Sequence, residues 1–171
     1  MAAVVYETER LVVRYLTDDD APALYDMHRH DAVMRWLDKT LSTGPADELA
    51  RLARWRTFEH DGFGFFAITL RGSGELVGVQ VFKEFDDLPH IDLGWRLHPD
   101  HQGKGYATEA ARGAIAYGFG ELGLDEVAAT TLPDNVRSRA VMERLGMTYA
   151  GEVVHAGLPH VLYLLRREQA G

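Results

Sequence analysis

Residues 93–111 read LGWRLHPDHQGKGYATEAA. They carry, in order, the signals of a strand end, a glycine loop and a helix start, and this order decides the architecture of the 171-residue chain. A predicted strand, residues 91–97, stops before Pro99, because proline cannot donate a hydrogen bond to a sheet. Gly103 and Gly105 then precede a predicted helix with one apolar face. That face comprises Ala107, Ala110, Ala111, Ala114, Ile115, Phe119 and Leu122. A glycine loop that leads into a helix N-terminus favours binding of an anion such as a phosphate.

Two common phosphate-binding patterns do not fit this loop. The P-loop pattern requires a glycine five positions before the Gly-Lys pair and a Ser or Thr after it, where this chain has His98 and Gly105. The dinucleotide pattern requires a third glycine, where this chain has Thr108. The pattern that remains is Gln-x-x-Gly-x-Ala, directly after a strand and at the start of a helix. A glycine-rich turn without a ligand is the alternative interpretation.

This pattern resembles the pyrophosphate-binding loop of the GNAT acetyltransferases, which bind acetyl-coenzyme A. The matching positions are Gln102, Gly105 and Ala107. The flanking sequences strengthen the resemblance: LGWRLHP precedes the loop, TEA follows it, and NVRS occurs at residues 135–138. The start of the chain, with Glu-Arg-Leu at 9–11 and Thr-Asp-Asp-Asp at 17–20, is similar to the branch that acetylates ribosomal-protein N-termini. That branch also acetylates small amines and antibiotics.

Composition indicates a soluble globular protein and excludes several other classes. The hydrophobic content is 46% and the charged content is 26%, and the length fits one domain, residues 1–171. The chain has no cysteine, no secretory signal and no apolar run near the ~20 residues of a membrane span. We therefore expect a cytoplasmic protein. The net charge of −8 disfavours a nucleic-acid partner and is compatible with a cationic acceptor.

Periodicity and turn signals predict an α/β (α+β) domain with a mixed, twisted sheet of about 6–7 mostly antiparallel strands and helices on both faces. This order is similar to the GNAT fold from about residue 9 to 165. A helix is predicted to start at residues 17–20 and a second to run from near Leu49 to residues 61–62. Residues 33–37 could be a helix end or a lid. The remaining elements are predicted strands 9–14, 63–70, 75–85, 125–130, 147–154 and 160–166, and a helix at 135–145.

The resemblance implies how acetyl-CoA would be held. Loop backbone would bind the pyrophosphate, and the preceding strand would diverge from its neighbour and bond the pantetheine arm. The backbone N–H of Leu97 would then stabilise the oxyanion. Lys104 could add charge near a phosphate or be a solvated lysine. The implied cofactor-binding residues are Trp95, Leu97, His98, Gln102, Gly103, Lys104, Gly105, Tyr106, Ala107, Asn135 and Ser138.

The resemblance implies two catalytic roles, one for Ser138 of the NVRS motif and one for Asp92, which lies where many members of the family carry a glutamate. Ser138 could donate to the leaving sulfur, or it is simply a first-turn serine; Asn135 could contact pantetheine, act as a helix N-cap, or do both. Asp92 could accept the amine proton through water, since an alkylamine with pKa near ~10 arrives charged. Alternatively, Asp92 is a strand carboxylate that faces solvent or pairs with Arg96. Glu84 is a second candidate for the base.

Histidine and aromatic residues have less specific predictions. His28, His30, His98 and His101 show no consistent metal-ligand spacing, and no metal is expected. His155 and His160 flank a loop that could border the acceptor pocket. The large aromatics could form an acceptor wall or belong to the core. They are Trp36, Trp55, Phe58 and Phe63.

The sequence therefore predicts an acetyl-CoA-dependent N-acetyltransferase that acts on a primary amine by direct transfer in a ternary complex. No covalent acyl-enzyme is expected, since the chain lacks a cysteine nucleophile. Two rival hypotheses are a non-catalytic acyl-CoA-binding or sensing domain and a different type of nucleotide-binding module. The family resemblance also suggests a homodimer.

Overall fold

A computed structural model describes residues 2–37 and 40–170. The predicted domain, residues 1–171, also includes Met1, Asp38, Lys39 and Gly171, which lie outside the described residues.

The strands are β1 (Val4–Glu7), β2 (Leu11–Tyr15), β3 (Gly64–Leu70), β4 (Leu76–Glu84), β5 (Ile91–Leu97), β6 (Glu126–Thr131), β7 (Thr148–His155) and β8 (Leu158–Arg166). The α-helices are α1 (Ala21–His28), α2 (Asp31–Met34), α3 (Pro45–Arg56), α4 (Tyr106–Gly120) and α5 (Val136–Arg144).

One sheet contains all eight of these strands, in the order β1-β2-β3-β4-β5-β6-β8-β7. Every pairing is antiparallel except the parallel pair β5–β6. The mixed, mostly antiparallel sheet is confirmed, but the count of 6–7 strands is too low. The strand missing from the prediction is β1, whose four residues are too short for a clear alternating pattern.

Helices cover both faces of the sheet, as predicted. On one face, α1 and α3 contribute Leu24, Met27, Leu52 and Trp55 to a buried cluster. On the other face, α4 and α5 pack against a larger cluster. The segment at 33–37 begins within α2, where Val33 and Met34 are buried, which favours the helix interpretation over a lid. Among the described residues, no helix has both the length and the apolar character needed to cross a membrane.

Gly113 allows α4 to lie close to β1. A Cβ at Gly113 would overlap the Tyr6 ring and lie 2.9 Å from Thr8 Cγ2. The ring cannot easily move away, because Tyr6 Oη donates to the Ala110 carbonyl at 2.7 Å. A Cβ at Gly120, in contrast, would have no heavy atom within 4 Å among the described residues.

We expect Gly113→Ala to lower the free energy of unfolding by about 1–3 kcal/mol, because overpacking outweighs the gain in helix propensity. The matched control is Gly120→Ala in the same helix, which we expect to be neutral or stabilising by up to about 1 kcal/mol. Urea titration of both variants measures the difference. Equal stability of the two variants would contradict the close packing of β1 on α4.

Candidate active site

The predicted phosphate loop connects β5 to α4. His98, Pro99 and the following residues form a short 3-10 turn, and Gln102 is extended. Gly105 is the N-cap residue of α4 and has a left-handed backbone with φ of 83°. L-residues with a side chain rarely adopt this conformation, which explains the glycine. The first N–H groups of α4 have no partner one turn earlier in the helix and are oriented toward this loop.

Arg10 was not among the predicted site residues, but its side chain holds the glycine loop by hydrogen bonds. Its Nη1 donates to the Lys104 carbonyl at 2.9 Å, and its Nε donates to Glu109 Oε2 at 2.6 Å. Its guanidinium also lies 4.6 Å from the Tyr106 ring centroid. The Glu-Arg-Leu motif of the sequence contains this residue, but nothing in the local pattern indicates a contact nearly a hundred residues away. Lys104 itself is exposed, and both interpretations of its side chain remain open.

The strands β5 and β6 diverge beside this loop. Within the described residues, their register contains the single pair Asp92–Ala128, although both strands continue beyond it. His98 N–H donates to the Val77 carbonyl of β4, so alternation along the strand directs the Leu97 N–H to the opposite side. Backbone groups of Leu97 and Trp95 therefore face the widening gap. The N–H of His98 does not, because it is bonded to Val77.

Gln102 bridges this gap at its open end. Its Nε2 donates to the Leu97 carbonyl at 3.2 Å, and its Oε1 accepts from Arg137 Nη1 at 2.7 Å. The predicted loop residue thus joins the edge of β5 to the first turn of α5. Arg137 is a second contact that sequence reasoning did not identify, although it lies inside the quoted NVRS motif.

Asn135 and Ser138 begin α5 on the β6 side of the gap. Asn135 is the N-cap residue, and its Oδ1 accepts from the Ser138 N–H at 3.4 Å. Its Nδ2 donates to Thr131 Oγ1 at 2.9 Å and to Ser138 Oγ at 3.1 Å. The N-cap interpretation of Asn135 therefore holds. Since Ser138 Oγ accepts from Asn135, its own O–H is directed elsewhere and can act as a donor.

Asp92 lies where the two strands begin to diverge. It is opposite Lys83 of β4, and a Cβ at Gly94 would be 3.6 Å from its Oδ1. Burial raises the pKa of Asp92 to about 6, and the nearby charges of Lys83, His155 and Arg96 only partly oppose this effect. A carboxyl with this pKa can accept a proton near neutral pH. The second candidate, Glu84, is exposed at the end of β4.

The strands β7 and β8 carry His155 and His160, which flank the predicted pocket loop. His155 Nδ1 is 2.7 Å from Asp87 Oδ1, and the His155 and His160 rings are 5.1 Å apart. His160 is 8% exposed and its Nδ1 is 2.9 Å from the Leu158 carbonyl. These contacts join the predicted loop to Asp87, and the charge of His155 acts on Asp92.

The predicted aromatic wall does not form. Trp55 stacks on Phe65 at 4.4 Å within the α1–α3 cluster, and Phe58 packs against that cluster. Phe63 belongs to the cluster on the opposite face of the sheet. The core interpretation is therefore correct for Trp55 and Phe63, because the sheet separates them. Trp36 is partly exposed beyond α2.

The fold and the sequence both match known acetyltransferases. The family described as "Acetyltransferase (GNAT) domain" matches residues 10–148. Uncharacterized N-acetyltransferase YnaD of Bacillus subtilis (strain 168) is 33% identical over 144 residues, which cover 84% of this chain and 82% of that protein. The [Ribosomal protein uS5]-alanine N-acetyltransferase of Escherichia coli (strain K12) is 29% identical over 151 residues, covering 84% and 78%.

A solved structure agrees over nearly the full length. It is a GNAT-family acetyltransferase from Bacillus anthracis, with a TM-score of 0.82 and 28% identity, covering 95% of this chain and 98% of that one. The chain belongs to the GNAT acetyltransferase family. It is an N-acetyltransferase that depends on acetyl-CoA.

Proposed function

We propose that this enzyme transfers the acetyl group from acetyl-CoA to a primary amine, either a protein N-terminus or a small-molecule amine, by direct attack in a ternary complex. The observation that carries the proposal is the gap between β5 and β6, which lies between the glycine loop and the start of α5. In this arrangement, loop backbone holds the pyrophosphate and the free edge of β5 pairs with pantetheine. In this proposal the loop binds the pyrophosphate through residues 102–107.

The residues around the gap provide the groups that the reaction requires. The Leu97 N–H points into the gap and stabilises the oxyanion as the amine attacks the thioester carbonyl. Asp92, ionised above pH about 6, takes the amine proton through water. Ser138 donates its hydroxyl proton as a hydrogen bond to the departing sulfur. A thiol with a pKa near ~8.5 leaves without full protonation, so this last contribution is modest.

Ser138→Ala tests that contribution. We expect kcat to fall about five- to thirtyfold, which corresponds to the loss of one hydrogen bond of about 1–2 kcal/mol. The KM for acetyl-CoA should change little if the hydroxyl acts mainly on the developing thiolate. Steady-state thiol release measures both constants. An unchanged kcat would assign Ser138 a role only in the first turn of α5.

The acceptor is tested with a panel of amines. Thiol release from acetyl-CoA is measured with peptides that carry free N-termini, including alanine-initiated ones, and with small alkylamines and aminoglycosides. The uS5-alanine relative supports including the peptides. Turnover of one class of amine, with N-acetylation of the product shown by mass spectrometry, supports the proposal. Tight acetyl-CoA binding without turnover of any amine would instead support the acyl-CoA-binding alternative.

Assembly and location stay predictions. The family resemblance suggests a homodimer, which multi-angle light scattering of the purified chain can test. The homologue that acetylates a ribosomal protein supports a cytoplasmic location. A monomer at assay concentration would remove the dimer from the proposal without affecting the reaction.

A further inference from the structure

A second group of polar side chains lies between the end of α1 and the end of β5. Asp26, His30 and His98 each offer one ligand atom, and all three atoms lie within 4.8 Å of one another. Two imidazoles and one carboxylate are a common donor set for Zn²⁺ and similar divalent ions. None of the catalytic steps described above uses this cluster.

The contacts of His30 point to a ligand. Its Nε2 is buried and has no hydrogen-bond partner among residues 2–37 and 40–170. A buried ring nitrogen without a partner costs free energy that a bound cation would recover. The His30 ring packs edge-on to the His98 ring, with centroids 5.3 Å apart, so the ring that carries the unpartnered nitrogen lies against the cluster.

Asp26 directs its Oδ2 toward His98, where it could bind a metal. Its Oδ1 is held by Arg29, whose Nε donates at 3.0 Å. Its Oδ2 faces His98 Nε2 at 2.9 Å. The Asp26 side chain is 53% exposed, which provides a path for an ion from solvent. Donor atoms around a tetrahedral zinc lie about 3.3 Å apart, so the three groups need to shift only slightly.

His98 must change tautomer to bind a metal. Its Nδ1 accepts from the Asp100 N–H at 3.0 Å, so Nε2 carries the proton and donates to Asp26. Metal binding at Nε2 moves the proton to Nδ1, so the hydrogen bond from the Asp100 N–H is lost and the new N–H needs an acceptor of its own. The Asp100 carboxylate is 3.8 Å away. A carboxylate behind a ligating histidine is the usual way in which such a tautomer is fixed.

We propose that Asp26, His30 and His98 form a binding site for a divalent cation of the zinc type, which would link the end of α1 to the start of the cofactor loop. The sequence did not indicate this site, because His98 lies 72 positions beyond Asp26. Three protein ligands leave a fourth position for water or another ligand. His98 is also a predicted cofactor-binding residue, but Zn²⁺ binding can be measured without acetyl-CoA, so the test does not require catalysis.

The test uses the full-length, tag-free chain after treatment with a chelator and without acetyl-CoA. Zn²⁺ binding is measured by calorimetry, and Co²⁺ is used as a spectroscopic probe of coordination. We expect one ion per chain and tetrahedral Co²⁺ absorption bands that Zn²⁺ abolishes. His30→Gln should weaken Zn²⁺ binding by about tenfold or more. It breaks no hydrogen bond at His30 Nε2, which has no partner in the described residues.

His101→Gln is the matched control. His101 also has a buried, unpartnered ring nitrogen and packs near His98, with centroids 6.0 Å apart, but it is outside the cluster. Binding retained in His101→Gln and lost in His30→Gln supports the site, with thermal melting of the metal-free variants confirming that each is folded. No Zn²⁺ binding by the wild type, or equal affinity in His30→Gln, would overturn the proposal.

Discussion

Gly105→Glu is expected to weaken acetyl-CoA binding by more than about a hundredfold, which is about 2.7 kcal/mol or more. The new carboxylate would stand where loop backbone is proposed to hold the pyrophosphate, so like charges would meet at short range. Calorimetry with acetyl-CoA measures the loss directly. The same variant should show no detectable thiol release at ordinary cofactor concentrations.

The control must separate charge from backbone strain. Any side chain at this position is strained by the φ of 83°, and its Cβ would lie 3.3 Å from Arg10 Nη2. Gly105→Gln introduces the same bulk and strain without the charge. We expect it to bind acetyl-CoA clearly more tightly than Gly105→Glu, with both variants equally folded by circular dichroism. Equal affinities of the two variants would show that no anion is bound beside Gly105.

Asp92→Asn is expected to lower kcat/KM by about 10²–10³-fold if Asp92 is the general base. In the wild type, the rate should fall about tenfold per pH unit below an apparent pKa of about 6, because protonated Asp92 cannot accept the amine proton. The variant should lose this acidic limb and keep its acetyl-CoA affinity. Glu84→Gln is the matched control, since Glu84 is the second candidate. A large loss in Glu84→Gln but not in Asp92→Asn would transfer the role to Glu84.

Asp92→Asn should lower activity but raise the free energy of unfolding. The folded-state pKa of Asp92 is raised, so the native state binds its proton more tightly than the unfolded chain does. The ionised carboxylate therefore costs stability, and this cost develops as the pH rises from about 4 to about 6. We expect Asp92→Asn to be more stable than the wild type by about 1–2 kcal/mol at pH 8, allowing for partial solvent screening. The difference should vanish near pH 4, and urea titrations at both values measure it.

Several elements could be predicted because their signals are local. The Gln102–Ala107 loop is encoded by two glycines after a strand, and the Asn135 cap by an asparagine at a helix start. The apolar spacing of α4 predicted its buried face, and Ala110, Ala111, Ala114 and Ile115 are indeed buried. By contrast, β1 was missed, because four residues are too few to show a period.

The sequence by itself determined the family, the order of most elements and the position of the glycine loop, because each depends on residues close together in the chain. The tertiary structure alone decided the gap beyond Asp92–Ala128, the anchoring of the loop by Arg10, and the separation of Trp55 from Phe63. It also decided the meeting of His30 with His98. These features join distant segments, and their geometry follows from strand pairing and helix packing, which the spacing of residues along the chain does not encode.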